Sequence, residues 1–150
     1  MMIIRIAKLE DVPELYSCCV EAFKDYILLI GRTPGPMLED LYEGVLHHHT
    51  FIAQDGESIA GFILIKDGQE DFMWLDILAV YPKFRNKGIG NSLVEFCEDF
   101  IRSEGKSECR LYTHVKYEKT QKLYLDRGFE IYDRVQEYGF DRYYMRKHLK

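Results

Sequence analysis

The stretch from Phe72 to Ser103 constrains the fold more than any other. "FMWLDILAV" (72–80) is apolar except for Asp76 and reads as a strand. "YPKFRNKGIGNSL" (81–93) follows, with Lys83, Arg85 and Lys87 just ahead of Gly88 and Gly90. From Asn91 to Ser103 the spacing turns helical. Leu93, Cys97, Phe100 and Ile101 share one face, Glu95, Glu98 and Asp99 are expected largely opposite, and Gly105 suits the end. A strand that enters a helix through a glycine-rich turn leaves free N–H groups at the helical tip. Those groups and the helix dipole attract anions. Glycine lets a ligand approach the backbone closely, and Arg85 and Lys87 can neutralise phosphate oxygens.

The flanks supply the remaining elements. "IIRIA" alternates as a strand, and Asp11 is placed to cap a helix that tolerates Pro13 in its first turn. "GRTPGP" (31–36) breaks the chain, and Met37 to His48 reads as a second helix. "TFIAQ", "SIAGFILIK" and "FMWLDILAV", punctuated by Asp55-Gly56 and Asp67-Gly68, predict consecutive hairpins. After the central helix come a strand "ECRLYTHV", a helix "EKTQKLYLDRG" and a final hairpin, "FEIYDRVQEY" with "FDRYYMRKHL". The order is β-α-α-β-β-β-α-β-α-β-β, an α/β domain with a mixed sheet.

Length and charge narrow the options. A chain of 150 residues fits one domain over 1–150 and buries enough surface to need no disulfide or structural metal. The net charge of −5 argues against nucleic acid as the main partner and sets the basic cluster at 83–87 apart from its surroundings. Cys18, Cys19, Cys97 and Cys109 form no C-x-x-C and read as reduced, mostly buried thiols of a cytoplasmic protein. No signal peptide and no membrane-length apolar run is expected. His47, His48 and His49 are consecutive, so they do not face one point on a helix, and no metal site is expected.

Among phosphate-binding loops, the Walker A pattern has no match, and G-x-G-x-x-G fails at Leu93. R-x-x-G-x-G is matched in full by Arg85, Asn86, Lys87, Gly88, Ile89 and Gly90, after "LAVYP" (78–82). Here the chain resembles the GCN5-related N-acetyltransferase (GNAT) superfamily. There this loop follows a strand ending L-x-V-x-P and holds the pyrophosphate of acetyl-coenzyme A. A second stretch resembles the same family. Against N-x-x-A-x-x-L-Y-x-x-x-G-F, "YEKTQKLYLDRGF" (117–129) keeps Leu123, Tyr124, Gly128 and Phe129. Tyr117 stands where Asn is frequent, and Thr120 where Ala is.

The resemblance implies a GNAT-like domain: a mixed, mostly antiparallel twisted sheet of about seven strands flanked by about four helices. It implies acetyl-CoA as co-substrate and the backbone of Leu78, Ala79 and Val80 along the pantetheine arm, with Tyr117 also near the coenzyme. It implies Tyr124 beside the sulfur, where a phenol can protonate the departing thiolate. Asp76 is the candidate base, placed by strand alternation on one face with Leu78 and Val80, and burial is expected to raise its pKa. His114 is a second candidate.

The activity expected is direct acetyl transfer to a primary amine of a small molecule or protein. The alternative is a sensor that binds acyl-CoA without turnover; a nucleotide-binding protein of another fold is a third reading. Tyr26, Arg32 and Tyr42 flank the Gly/Pro loop that walls the acceptor pocket in relatives. The Tyr-rich "EYGFDRYYM" is placed either to pair two copies or to finish the core.

Overall fold

A computed structural model describes residues 2–150 of the chain. Seven strands form one sheet in the order β1-β2-β3-β4-β5-β7-β6: β1 (Met2–Ile6), β2 (His49–Asp55), β3 (Ser58–Asp67), β4 (Phe72–Val80), β5 (Glu108–His114), β6 (Glu130–Glu137) and β7 (Phe140–His148). Five helices surround it: α1 (Val12–Phe23), α2 (Tyr26–Ile30), α3 (Leu41–His47), α4 (Ile89–Ser103) and α5 (Glu118–Asp126). β1 to β4 form an antiparallel meander, and β5, β7 and β6 form a second antiparallel unit. Only β4 and β5 run parallel, joined by the crossover helix α4. None of the described helices is long and apolar enough to cross a membrane.

Each face of the sheet carries its own core. Against α4 and α5 pack Ile63, Ile65, Leu93, Cys97, Leu111 and Met145. Against α1 and α3 pack Leu15, Cys18, Ile52, Phe62, Leu64 and Ile77. β3 is buried on both faces, which explains its nearly continuous apolar run. All four cysteines are free and buried. Burial lifts the Cys18 and Cys19 thiols, the latter to about 12, so they are poor nucleophiles.

Local chemistry moves several expected boundaries. Asp11 precedes α1 but does not cap it. Its carboxylate accepts from Lys8 N at 2.8 Å and pairs with Arg5 at 2.9 Å, which holds it below the ordinary carboxylate range. The second expected helix starts later, at Leu41, because the Asp40 side chain accepts from Tyr42 N and Glu43 N, a true N-cap. Met37 and Leu38 instead belong to a 3-10 turn. α2 is an additional helix, closed by Gly31 at φ 76°. Glu98, expected on the polar face of α4, is buried; Lys147 at 3.0 Å and Arg127 at 3.4 Å compensate its charge. The Tyr-rich β7 is an interior strand, and β6 forms the edge.

Gly61 shows how tightly β3 and β4 approach. A Cβ there would lie 2.5 Å from Ala79 O and 3.1 Å from Val80 Cα. Backbone must move to admit it, so Gly61→Ala is expected to cost about 1–3 kcal/mol, as overpacking does. Urea denaturation measures this. Full wild-type stability would show that β4 yields freely at Ala79.

Candidate active site

The pairing of β4 with β5 stops almost as soon as it begins. It covers only Phe72 with Glu108, Met73 with Cys109 and Trp74 with Arg110. β4 continues to Val80 and β5 to His114 without pairing again. Between them opens a cleft of about 490 Å³. Its walls are the facing edges of Leu75 to Val80 and Leu111 to His114, whose outward backbone groups find no ladder partner across the gap. The cleft thus lies at the carboxyl ends of two parallel strands, where α/β sheets place ligands.

The basic loop sits at the mouth of this cleft. Tyr81 N donates to Ala60 O at 2.9 Å, and a 3-10 turn over Pro82–Phe84 swings the chain away from the sheet. Asn86 and Gly88 are left-handed, at φ 63° and 77°, which turns the chain into α4. No side chain caps α4, and Ser92 N makes its first backbone bond, to Gly88 O at 3.0 Å. The amides of Ile89, Gly90 and Asn91 therefore face the cleft without intrahelical acceptors. Gly90 has a normal backbone, and a Cβ there would meet only Leu123, at 3.9 Å. Internal packing does not demand glycine at this position.

Of the loop cations, only Arg85 lines the cleft. Its Nη2 donates to Ala22 O at 3.0 Å, tying the loop to the end of α1. Lys83 and Lys87 flank the Phe84 ring at 5.4 and 5.5 Å and stay outside the cleft. Among the residues expected along the coenzyme, Leu78, Val80, Asn86, Gly88, Ile89, Gly90 and Tyr117 line the cleft. The Ala79 side chain turns into the α1-side core, so only its backbone can take part.

Strand alternation fails at Asp76. β3 pairs Leu64 with Ile77 but Ile65 with Leu75, which leaves Asp76 as the extra residue of a bulge. Beyond it, Leu78 and Val80 pack toward α4, while Ile77 packs toward α1. Asp76 joins Glu39, on the face covered by the N-terminal helices, so it does not share a face with Leu78 and Val80 as simple alternation predicts. The bulge re-aims the one carboxylate of β4.

The surroundings of Asp76 set its chemistry. Its side chain is 6% exposed, with Lys66 Nζ 3.2 Å from Oδ2. Oδ2 is buried, and the Lys66 ammonium is the charge that compensates it. Tyr112 OH reaches Oδ1 at 3.4 Å, and Lys66 also binds Glu39 Oε1 at 3.0 Å. Burial, then the hydrogen bond and charge of Glu39, push Asp76 up to about 7 against the pull of Lys66. Glu39, bonded to Asp76 and Lys66, is held low. Burial works against the Lys66 ammonium, but the two carboxyl groups outweigh it and raise its pKa. Glu39 and Lys66 escape sequence reasoning. Glu39 is far along the chain, although Lys66 and Asp76, opposite charges on neighbouring apolar strands, form a diagonal pair that could have signalled it.

Tyr124 lies on the other face, among Cys97, Cys109 and Phe129. It is almost wholly buried yet borders the cleft, and its hydroxyl bonds to no other described residue. Burial, reinforced by the two thiols, makes it very hard to ionise. His114 also borders the cleft. Lys116 N donates to its Nδ1 at 3.1 Å, and burial lowers its pKa, so the neutral ring carries its proton on Nε2. Tyr117 stacks on Tyr26 at 4.0 Å, joining α2 to the start of α5. Arg32 spans to Phe140, Tyr42 stacks on Tyr16 outside the cleft, and the three histidines divide between α3, its cap and β2.

Solved structures share this architecture across their whole length. The PaiA N-acetyltransferase of Thermoplasma acidophilum, in complex with coenzyme A, has a TM-score of 0.84 at 23% identity, covering 99% of each chain. The ribosomal-protein-S18-alanine N-acetyltransferase of Escherichia coli has a TM-score of 0.82 at 18% identity, covering 100% of this chain and 95% of that one. YncA of Salmonella typhimurium, with its cofactor acetyl-CoA, reaches 0.73 at 17% identity, over 100% and 95%. No curated protein matches in sequence. The family model for the acetyltransferase (GNAT) family matches residues 10–129, spanning the split strands, the basic loop and the Tyr124 helix; the chain belongs to that family.

Proposed function

We propose that the chain is an acetyl-CoA-dependent N-acetyltransferase acting on a primary amine by direct attack in a ternary complex. One observation carries the reading: a single cleft joins the uncapped tip of α4, the unpaired edge of β4 and the buried Asp76 carboxylate. The coenzyme A and acetyl-CoA in the Thermoplasma and Salmonella structures support the choice of co-substrate.

In this reading the pyrophosphate binds the amides of residues 86–91, with Arg85 beside it. The pantetheine replaces the missing strand between β4 and β5, hydrogen-bonding their free edges. An edge N–H of β4 then polarises the thioester oxygen. The acceptor enters from the opposite face, where Asp76 and Glu39 share the single Lys66 ammonium and, once Asp76 ionises, keep one negative charge for the amine. Asp76 takes a proton from the nitrogen, the C–N bond forms and the C–S bond breaks. The second nitrogen proton passes through water to the departing thiolate as the amide forms, and the thiol leaves as coenzyme A. A free thiol ionises near 8.5, well below Tyr124, so the phenol stabilises the leaving sulfur chiefly by donating a hydrogen bond.

Three outcomes are expected. Gly90→Ala should weaken coenzyme A binding roughly tenfold, about 1.4 kcal/mol, while the apoprotein keeps its stability. Calorimetry with parallel denaturation checks both; wild-type affinity would remove the loop from the site. Tyr124→Phe should lower turnover roughly 10- to 100-fold with coenzyme affinity nearly constant. The hydroxyl has no protein partner to lose, so folding should not suffer, and undiminished turnover in a thiol-release assay would exclude it as the donor.

The third outcome concerns pH. kcat/KM should rise as pH passes about 7 and Asp76 ionises, and Asp76→Asn should abolish that limb. Between the ordinary carboxylate range and pH 7, folded Asp76 keeps a proton that the unfolded chain has released. Stability therefore falls as pH rises through this window. Glu39 acts below it and in the opposite sense, since its lowered pKa costs stability only as pH falls. Urea titrations from pH 5 to 8 should show the decline in wild type and not in Asp76→Asn. Equal slopes would mean that Asp76 ionises normally.

A further inference from the structure

On the face of the cleft opposite α4, a second charged group stands beside Asp76. Arg142 of β7 lines the cleft and is 11% exposed. Its guanidinium lies over two rings, 4.4 Å from the Tyr112 centroid and 4.6 Å from that of Phe140. Glu137 holds Nη1 at 3.0 Å, and Tyr144 OH binds the same carboxylate. Nη2 bonds to no other described residue. The backbone passing over it is Gly35, where a Cβ would lie 3.1 Å from Nη2, so the missing side chain keeps the nitrogen reachable. Tyr112 connects the two charges: its hydroxyl touches Asp76 and its ring carries Arg142. The carboxylate and the guanidinium are therefore about one tyrosine side chain and one hydrogen bond apart. That is the reach of an ammonium and a carboxylate separated by a few bonds in one molecule.

The chamber is also roofed. Arg32, beyond α2, lies 4.0 Å over the Phe140 ring, and its Nη1 donates to Tyr138 O at 2.8 Å. Tyr26 stacks on Tyr117 at 4.0 Å, and Lys116 Nζ donates to Leu29 O at 3.4 Å. These bonds latch the α2 segment to the β6–β7 hairpin and to the start of α5. A polypeptide lying across the sheet would have to break them.

We propose that the acceptor is a small amino acid or close derivative, its amino group seated at Asp76 beside the Lys66–Glu39 ion pair and its carboxylate on Arg142. This rests on the acetyl-transfer reading above and narrows it to a substrate class. Arg suits the second contact because its planar fork presents two parallel donors to a carboxylate.

The test compares α-amino acids with their α-carboxamides, their decarboxylated amines and short peptides, in a thiol-release assay with acetyl-CoA. The acids should exceed the matched carboxamides at least tenfold in kcat/KM. Arg142→Met should bring the acid down to the level of the carboxamide, and Arg142→Lys should restore part of the difference. Carboxamides, amines or peptides acetylated as well as the acids would overturn this assignment while leaving the acetyltransferase reading intact. With no turnover on any amine, that reading falls, and calorimetry on the coenzyme A-loaded protein decides this one. Tighter binding of the acid than of its carboxamide upholds Arg142 as the carboxylate seat, and equal or absent binding refutes it. Should Arg142→Met fail to fold, the wild-type acid-to-carboxamide ratio decides alone.

Discussion

Everything in this molecule follows from a sheet that comes apart in the middle. β4 and β5 pair over three residues and then diverge, although both continue to the edge of the domain. A sheet does not leave interior edges unpaired without compensation, because each buried N–H or C=O lacking a partner costs about 1–3 kcal/mol. The helices maintain the split from both sides. α4 and α5 pack on one face, α1 and α3 on the other, and each side has its own apolar core. The gap is therefore a slot through a well-supported scaffold, not a loose seam. A ligand with alternating donors and acceptors along its length is the natural replacement for the missing ladder bonds.

The two faces of the slot differ in chemistry. Toward α4 lie Leu78, Val80, Leu123 and the phenol of Tyr124, with uncapped amides at the helical tip. Toward the N-terminal helices lie Glu39, Asp76, Lys66 and Arg142, all closely partnered. The bulge at Asp76 creates this asymmetry. Without the extra residue, strand alternation would direct the carboxylate among the apolar side chains that pack toward α4. With it, one strand contributes an apolar wall to one face and an acid to the other. Burial beside Glu39 then keeps Asp76 near neutrality's edge, where a small change in its surroundings moves its proton.

Much of the scaffold was legible in the sequence, because local rules dominate there. The hairpin at Asp55-Gly56 follows from turn chemistry, and α4 follows from apolar spacing. The basic glycine loop at the mouth of the cleft was legible because its residues are contiguous. The face toward the N-terminal helices was not. Glu39, Lys66, Tyr112 and Arg142 come from four separate segments and meet only through topology. Asp76 stood out as a lone charge in an apolar run, but its direction depended on a bulge that no local pattern announces. Asp40 displaced the start of α3 for the same kind of reason: two competing acids precede the helix, and only one reaches its free amides.

The most direct test of the slot is an amide NMR titration with coenzyme A. Shifts should concentrate at Lys87 to Asn91, along Leu75 to Val80 and along Leu111 to His114, leaving β1 and β6 undisturbed. Shifts confined to other elements, or none at saturating coenzyme, would contradict the claim that the parted strands and the α4 tip hold one ligand between them.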